Sequence, residues 1–367
     1  MLEKSMALPW RLRLMMNLQV NFVLESLSSL DTLVLENQRL IYGLSDHVKL
    51  VNHVINSSSG KRIAVILNEF GEEIGVERAM INEGEKRAIV EEWIELANGC
   101  VCCTVKHSLV QALEQLVKMN HRLDHILIET TGLANPAPLA SILWLDEQLE
   151  SSVKLDSIVT VVDAKNLSFQ LHEHRESSSF PEAVHQIAFA DMIILNKIDL
   201  VPSSSIEQLQ IEITKINSLA QIIPSVRSKV DINTILHQGA YNAEHAFHLE
   251  KLLEESRSSV SDVHDDGVRT LCISETRELC VDKIRKWIEE ILWDKKDGVD
   301  VYRCKGVLNM HNSDELHTLQ GVREIYEIAP SRKWQEGEAR ASKIVFIGYN
   351  LRECTLSESL KLCIMAA

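Results

Sequence analysis

The sequence predicts an α/β protein, a mostly parallel sheet flanked by helices, followed by a smaller α+β module. Three observations carry that expectation. Four short apolar runs each end in a polar or acidic residue: Arg62–Asn68, His125–Glu129, Ser157–Asp163 and Asp191–Asn196. Such runs read as strands buried on both faces whose carboxyl ends present chemistry. Helical periodicity fills the intervals between them. Val105–Met119 carries apolar residues at Val105, Leu109, Leu113, Leu116 and Val117, and Leu139–Leu149 and Ile206–Ile216 are similarly periodic. Strand and helix in alternation imply parallel strands joined by right-handed crossovers. The third observation is the stretch Glu254–Gly267, rich in serine and acid, which reads as an exposed linker at 255–266.

Beyond the linker the pattern changes. Val268–Ser274 reads as a strand, Leu279–Trp293 as an amphipathic helix and Val299–Asn309 as a strand. A helix is expected near Glu315–Gln320, then strands at Arg323–Ile328 and Lys343–Tyr349.

Composition narrows the function. The 367 residues are 45% hydrophobic and 25% charged, the balance of a globular protein. Lys and Arg number 38 against 53 Asp and Glu, a formal charge of −15. That argues against nucleic acid as a partner, because clustered positive charge supplies most of such affinity. No apolar run approaches the roughly 18–20 residues of a membrane-spanning helix. Met1–Leu18 lacks the continuous apolar core of a secretory leader, and the five scattered cysteines, Cys272, Cys280, Cys304, Cys354 and Cys363, suit a reduced compartment, so a cytoplasmic location is expected.

Three motifs carry chemistry. In Gly99-Cys100-Val101-Cys102-Cys103, three thiolates spaced C-x-C-C can converge on one soft metal ion and leave a coordination position open, which suits delivery. The alternative is a buried or redox-active cysteine cluster. Asn196-Lys197-Ile198-Asp199 ends an apolar strand with the N-x-x-D spacing of guanine recognition, where the Asp accepts two hydrogens from the base while Asn and Lys buttress the pocket. Glu129-Thr130-Thr131-Gly132 places an acid where a strand ends and a glycine lets backbone approach a phosphate or its hydrated magnesium. Alone it is a strand-end turn; in register with the others it becomes part of a nucleotide site. His172, His174, His245 and His248 are spaced as metal ligands, but surface histidines are the simpler reading.

These motifs in this order resemble the CobW-type GTPases, relatives of the nickel-insertion GTPases UreG and HypB, and among them the eukaryotic zinc-regulated GTPase metalloprotein activators. Lys61–Glu77, Glu92–Leu116, Leu127–Leu149, Val159–Asn166 and Phe180–Leu200 look like the family's nucleotide-binding domain, and Tyr326–Trp334 and Ser342–Leu351 like its C-terminal domain. The resemblance implies a P-loop GTPase-like sheet domain at 50–254, the linker at 255–266 and a small α+β CobW C-terminal domain at 267–367. It makes Cys100, Cys102 and Cys103 the zinc site, with Cys103 also near the nucleotide. Asn196, Lys197, Ile198 and Asp199 become the guanine pocket, and Glu129 the catalytic acid that organises magnesium and water. Glu69 or Glu72, in the segment Asn68–Glu72, completes the zinc coordination unless both lie in a solvated loop. The implied function is GTP-dependent zinc transfer to a client zinc metalloenzyme, with zinc and GTP–magnesium as the bound groups.

The resemblance breaks off upstream. A GTPase of this kind opens with a strand and a G-x-x-x-x-G-K-[ST] loop whose amides cradle phosphates. Residues 41–49 occupy that place and read Ile-Tyr-Gly-Leu-Ser-Asp-His-Val-Lys, with Asp46 and His47 where the final Gly and the Lys belong. Residues 1–49 are therefore an atypical segment in place of the first strand and loop. They also lack the Pro-containing motif by which eukaryotic members contact methionine aminopeptidase. Two charge-assisted hydrogen bonds to guanine supply on the order of 1.5–3 kcal/mol each, whereas micromolar affinity needs about 8 kcal/mol. Weak nucleotide binding, negligible hydrolysis and a sheet with an unpaired position are the expected consequences. A non-hydrolysing zinc-binding or scaffolding isoform is the alternative function. A thiol redox protein would need a strained disulfide within Cys100–Cys103.

Overall fold

Each of the four apolar runs is a strand whose alternate side chains bury into opposite layers. The structure, a computed structural model, describes residues 18–25, 46–57, 61–68, 78–81, 113, 114, 116, 123–130, 153–172, 182–241 and 267–365. Among these, strand β1 (Leu18–Glu25) precedes helix α1 (Asp46–Ser57), β2 (Ile63–Asn68), β3 (Arg78–Ile81), β4 (His125–Thr130) and β5 (Val153–Asp163). Helices α2 (Leu167–His172) and α3 (Glu182–Phe189) then lead to β6 (Met192–Asn196), α4 (Ser203–Ile216) and β7 (Gln221–Pro224). The seven strands form one sheet in the order β3-β2-β4-β1-β5-β6-β7. Every neighbouring pair is parallel except β2 with β3.

Val65 of β2, Leu127 of β4, Val159 of β5 and Ile194 of β6 face Leu50, Val51 and Val54 of α1. The intervening Ile66, Ile128, Ile158 and Leu195 face the other way, onto α2, α3, α4 and the buried Leu113 and Leu116. Burial of both faces is why these strands read as continuous apolar runs.

One expectation is overturned by β1. The position between β4 and β5 is filled: Val20 pairs with Ile126 on one side and Leu155 on the other. The central strand of the sheet therefore comes from the segment that does not resemble the family, and the sheet has no gap at that point.

The second module runs β8 (Val268–Glu275), α5 (Val281–Leu292), β9 (Asp300–Asn309), β10 (Glu315–Val322), β11 (Ile325–Lys333), β12 (Ser342–Tyr349) and α6 (Glu353–Lys361). Its strands form an antiparallel sheet in the order β11-β10-β9-β12-β8. The helix expected near Glu315–Gln320 is strand β10. Leu316 and Leu319, three apart, mimic helical spacing, but they point to opposite faces: Leu316 joins the core shared with the first domain, and Leu319 the core beneath α5 and α6. Both faces of this strand are covered, so period-two alternation is invisible in its sequence. On α5, Ile284, Trp287, Ile288, Ile291 and Leu292 are buried at helical spacing, each such aliphatic side chain contributing roughly 1.5–3 kcal/mol.

The two sheets share one core. Tyr302, Val307, Leu316, Val345 and Ile347 pack with Phe189 of α3 and Leu209 and Ile213 of α4. Within that apolar contact lies a buried ionic cluster. Arg303 and Lys305 of β9 both reach Asp191, just before β6; the Lys305 Nζ to Asp191 Oδ1 distance is 3.0 Å. Asp191 also accepts the Ile158 amide at 3.0 Å. Arg303 donates to the Phe189 carbonyl at 2.7 Å, and Lys305 to the Ala240 carbonyl at 3.0 Å. Burial disfavours the Asp191 carboxylate, but Arg303, Lys305 and the Ile158 amide outweigh it and hold its pKa below the ordinary value. Thr270 of β8 adds a second tie, donating to the Ile216 carbonyl and accepting the Ser218 amide, both at 3.0 Å.

A histidine pair sits at the amino-terminal edge of the first sheet. His125 is fully buried, and its Nε2 lies 3.0 Å from Nε2 of His237. Burial, with repulsion from His237 and Lys61 and against Asp124, pushes the His125 pKa from 6.5 down to about 4; His237 shifts down too, burial leading.

Two predictions follow from these buried charges. Arg303→Met removes one partner of the interdomain cluster and is expected to cost about 3 kcal/mol of stability in urea unfolding; a loss under about 1 kcal/mol would show that water solvates the cluster. Below pH 6.5 the unfolded chain protonates His125 while the folded protein does not, so the stability present above pH 6.5 is lost as the pH falls toward 4. Between pH 7 and pH 5 the native protein should lose about 2 kcal/mol more than His125→Gln. Parallel losses in the two proteins would refute that assignment.

Candidate functional site

The carboxyl ends of the parallel strands gather at one edge of the first sheet, the place where open α/β sheets bind ligands. There Asp163, the last residue of β5, pairs in register with Asn196, the last of β6. Glu129 is the penultimate residue of β4, flanked by Val23 of β1 and Leu67 of β2. The structure thus brings Glu129 and Asn196–Asp199 to the same edge.

Asn196 is fully buried and works as a brace. Its side-chain oxygen accepts the Ser228 amide at 2.8 Å and its amide nitrogen donates to the Ser228 hydroxyl at 3.1 Å. Lys197 takes a left-handed conformation, φ 60°, which turns the chain out of the strand. Its ammonium meets Asp163 Oδ2 at 2.8 Å. Asp163, nearly buried, also accepts the Lys165 amide at 2.8 Å and the Asn166 side chain at 3.0 Å. Asp199 follows in a short 3-10 turn (Ile198–Leu200) and is exposed. Its carboxylate has no protein partner among the described residues, and so it is open to a ligand.

Two contributions escaped the sequence reading. Asp163 was read only as a strand end, yet it anchors Lys197. The loop after β7 was not read as functional at all. Ser225 donates its amide to the Leu195 carbonyl at 2.8 Å, and its own carbonyl accepts the Ile198 amide at 3.3 Å, which locks the loop beside Asp199. Lys229 then closes a turn onto the Val226 carbonyl at 3.2 Å, with Arg227 and Ser228 both at φ 54°. Two consecutive non-glycine residues in the left-handed region are costly, and the surrounding hydrogen bonds hold them there. The amides of Val226 and Arg227 bond to nothing among the described residues, and both side chains are exposed. The available signal is a serine three residues from another after a short strand closed by Pro224, too weak to read alone.

An exposed carboxylate beside free backbone amides has a defined chemistry. It accepts two adjacent hydrogens from a planar ligand edge while the amides donate to a neighbouring carbonyl, and guanine offers that donor–donor–acceptor edge.

The remaining expected site residues lie outside the described residues: Cys100, Cys102, Cys103, Glu69, Glu72, His174, His245 and His248, together with residues 41–45, the helix at Leu139–Leu149 and the linker 255–266. His172 ends α2. Asp46 begins α1. Between β1 and α1 lie residues 26–45, whose sequence holds Gly43 as its one glycine and Arg39 as its one basic residue.

Comparison with known proteins bears on this site. Residues 47–224 match the CobW/HypB/UreG nucleotide-binding domain, and residues 268–364 match the cobalamin synthesis protein cobW C-terminal domain. The chain is 35% identical over 331 residues to zinc-regulated GTPase metalloprotein activator 1 of Schizosaccharomyces pombe, covering 82% of this chain and 79% of that one. It is 28% identical over 334 residues to zinc chaperone CobW of Pseudomonas aeruginosa, covering 85% and 86%. The crystal structure of Zn(II)-bound YjiA GTPase from E. coli superposes with a TM-score of 0.67 at 20% identity over 95% of this chain and 99% of that one, a likeness of fold.

Brace and ligand contact separate by substitution. Asn196→Ala strands the buried Ser228 amide and should cost about 1–3 kcal/mol in chemical denaturation, whereas Asp199→Ala, at an exposed position, should stay within about 0.5 kcal/mol of the native protein. Equal losses would mean that Asp199 is structural.

Proposed function

Because the chain belongs to the CobW/HypB/UreG family, we propose that it is a zinc chaperone with a guanine-nucleotide site, which hands zinc to a client zinc metalloenzyme under control of the nucleotide state. The observation that carries this reading is the Asp199 carboxylate, exposed beside the turn at Ser225–Ser228. In the proposal Asp199 accepts the two hydrogens of the guanine edge and the amides of Val226 and Arg227 face its carbonyl. Lys197, held by Asp163, supports the plane of the base. Asn196 keeps the two loops in register. The relatives named for zinc and GTPase activity support the same assignment.

The metal half rests on Cys100, Cys102 and Cys103, with Glu69 or Glu72 as a further ligand. Thiolates bind zinc tightly but exchange it, and an incomplete set leaves a position for a client ligand. Glu129, at the strand end, offers the oxygen donor that suits magnesium and a polarised water. Bound magnesium neutralises phosphate charge. A nucleotide-dependent switch would change zinc affinity only through different contacts in its two states, and the family resemblance gives that part to Asn68–Glu72.

The phosphate half is altered. Residues 26–45 contain no lysine and no pair of glycines to expose a run of amides, while Asp31 and Glu36 add negative charge. Phosphates supply most of the affinity that base contacts cannot. We therefore propose weak nucleotide binding and negligible hydrolysis in this chain. The same observation favours a second reading, a zinc-binding or scaffolding protein that does not hydrolyse GTP.

One titration tests both halves. With fluorescent GDP and magnesium, with and without one equivalent of zinc, this chain should bind at least about a hundredfold more weakly than a relative that has the glycine-lysine loop, a difference of about 2.7 kcal/mol. Zinc, measured by atomic absorption, should be about one per chain and lost in Cys102→Ser/Cys103→Ser. Equal nucleotide affinity would mean that residues 26–45 build a phosphate cradle of another kind. Unchanged zinc in the cysteine variant would end the metal assignment, and GTP turnover above background with zinc present would end the scaffolding one.

A further inference from the structure

We propose that the groove between α5 and α6, on the outer layer of the C-terminal module, binds an acidic peptide segment of a partner protein through one large apolar anchor. Its floor is Trp287, Ile291 and Leu356, and its rim carries Lys283, Lys286 and Lys296. The cavity measures about 210 Å³. That is smaller than the roughly 300–1,000 Å³ of sites that enclose small molecules, but it has room for one side chain of the kind that anchors protein interfaces.

Charge identifies the occupant. The whole chain carries −15, yet this groove presents three lysines against Glu290, which lies 3.5 Å from Lys296. A basic site on an acidic protein attracts an acidic segment and repels a basic one. Apolar surface extends the groove. The chain after α6 folds back on the start of α5, with Cys280 donating to the Cys363 carbonyl at 2.9 Å and Met365 to the Glu278 carbonyl at 3.3 Å. Lys283 caps the returning strand at the Ile364 carbonyl, 3.1 Å away. This return leaves Leu362 76% exposed, Met365 44% and Val281 38%. Apolar side chains beside a basic rim match an amphipathic acidic peptide. The discrete cavity favours a peptide, which meets only the groove, over an anionic membrane, whose extended surface would also face the rest of this acidic molecule. The groove lies beyond the C-terminal sheet from the nucleotide edge, so the inference is independent of nucleotide binding.

Selection of a random phage-displayed peptide library on the full chain tests it. Enriched peptides should place glutamate or aspartate around leucine, phenylalanine or tryptophan. In fluorescence polarisation their affinity should fall at least tenfold with Lys283→Glu/Lys286→Glu, and also with Leu362→Asp. These positions are exposed, so unchanged denaturation curves will confirm that the variants fold. No enrichment, enrichment without acidic residues, or affinity unchanged in the lysine variant would overturn the proposal. So would binding to phosphatidylserine vesicles that depends on the same lysines while the selected peptides do not.

Discussion

Asp191 holds the molecule's two sheets in one relation. Apolar contact between Phe189, Leu209, Ile213 and the inner face of the second sheet is adhesive but not directional. A carboxylate that must meet Arg303, Lys305 and the Ile158 amide at once is directional. Burial and the neighbouring Arg303 push Lys305 down to about 8 against the attraction of Asp191, and all three side chains are nearly inaccessible to solvent. Any slide of one sheet over the other would leave a charge buried and unpaired, at a cost of several kcal/mol. Asp191 also directly precedes β6, the strand that ends at Asn196. The C-terminal module therefore grips one end of the strand whose other end is Asn196, where the candidate site begins.

The candidate site divides along the sheet. Its base side is built on β5, β6 and β7, where each side chain is braced: Lys197 by Asp163, Asn196 by Ser228, and the turn by hydrogen bonds of the Ser225 backbone. The sequence that follows β1, residues 26–45, lacks the G-x-x-x-x-G-K-[ST] pattern. The residues proposed for base recognition are braced by β5, β6 and β7.

Much of this was legible in the residues, for physical reasons that also explain the misses. Strands β2, β4, β5 and β6 are buried on both faces, and continuous apolar runs announce that directly. In β10 the same double burial hid the strand, because Leu316 and Leu319 serve different cores at a spacing that imitates a helix. Strand β1 was missed because Leu18–Glu25 lies in a segment unlike the family, and neighbours rather than composition create its place in the sheet. In the site, Asn196–Asp199 was readable because its chemistry is contiguous. Ser225–Ser228 was not, since torsion angles at Arg227 and Ser228, not residue types, shape that turn. Asp163 needed the register of β5 with β6 before its link to Lys197 could be seen.

The central position of β1 also sets the order in which the protein can assemble. It is the earliest strand among the described residues, yet its partners on both sides, beginning at His125 and Val153, arrive about a hundred residues later or more. During synthesis β1 must wait, with both edges open, until β4 and β5 have left the ribosome. Closing so long a loop is entropically slow, and an open-edged strand invites wrong pairing meanwhile. Folding of this sheet therefore does not follow chain order: β1 takes its central place only once β4 and β5 are available to flank it.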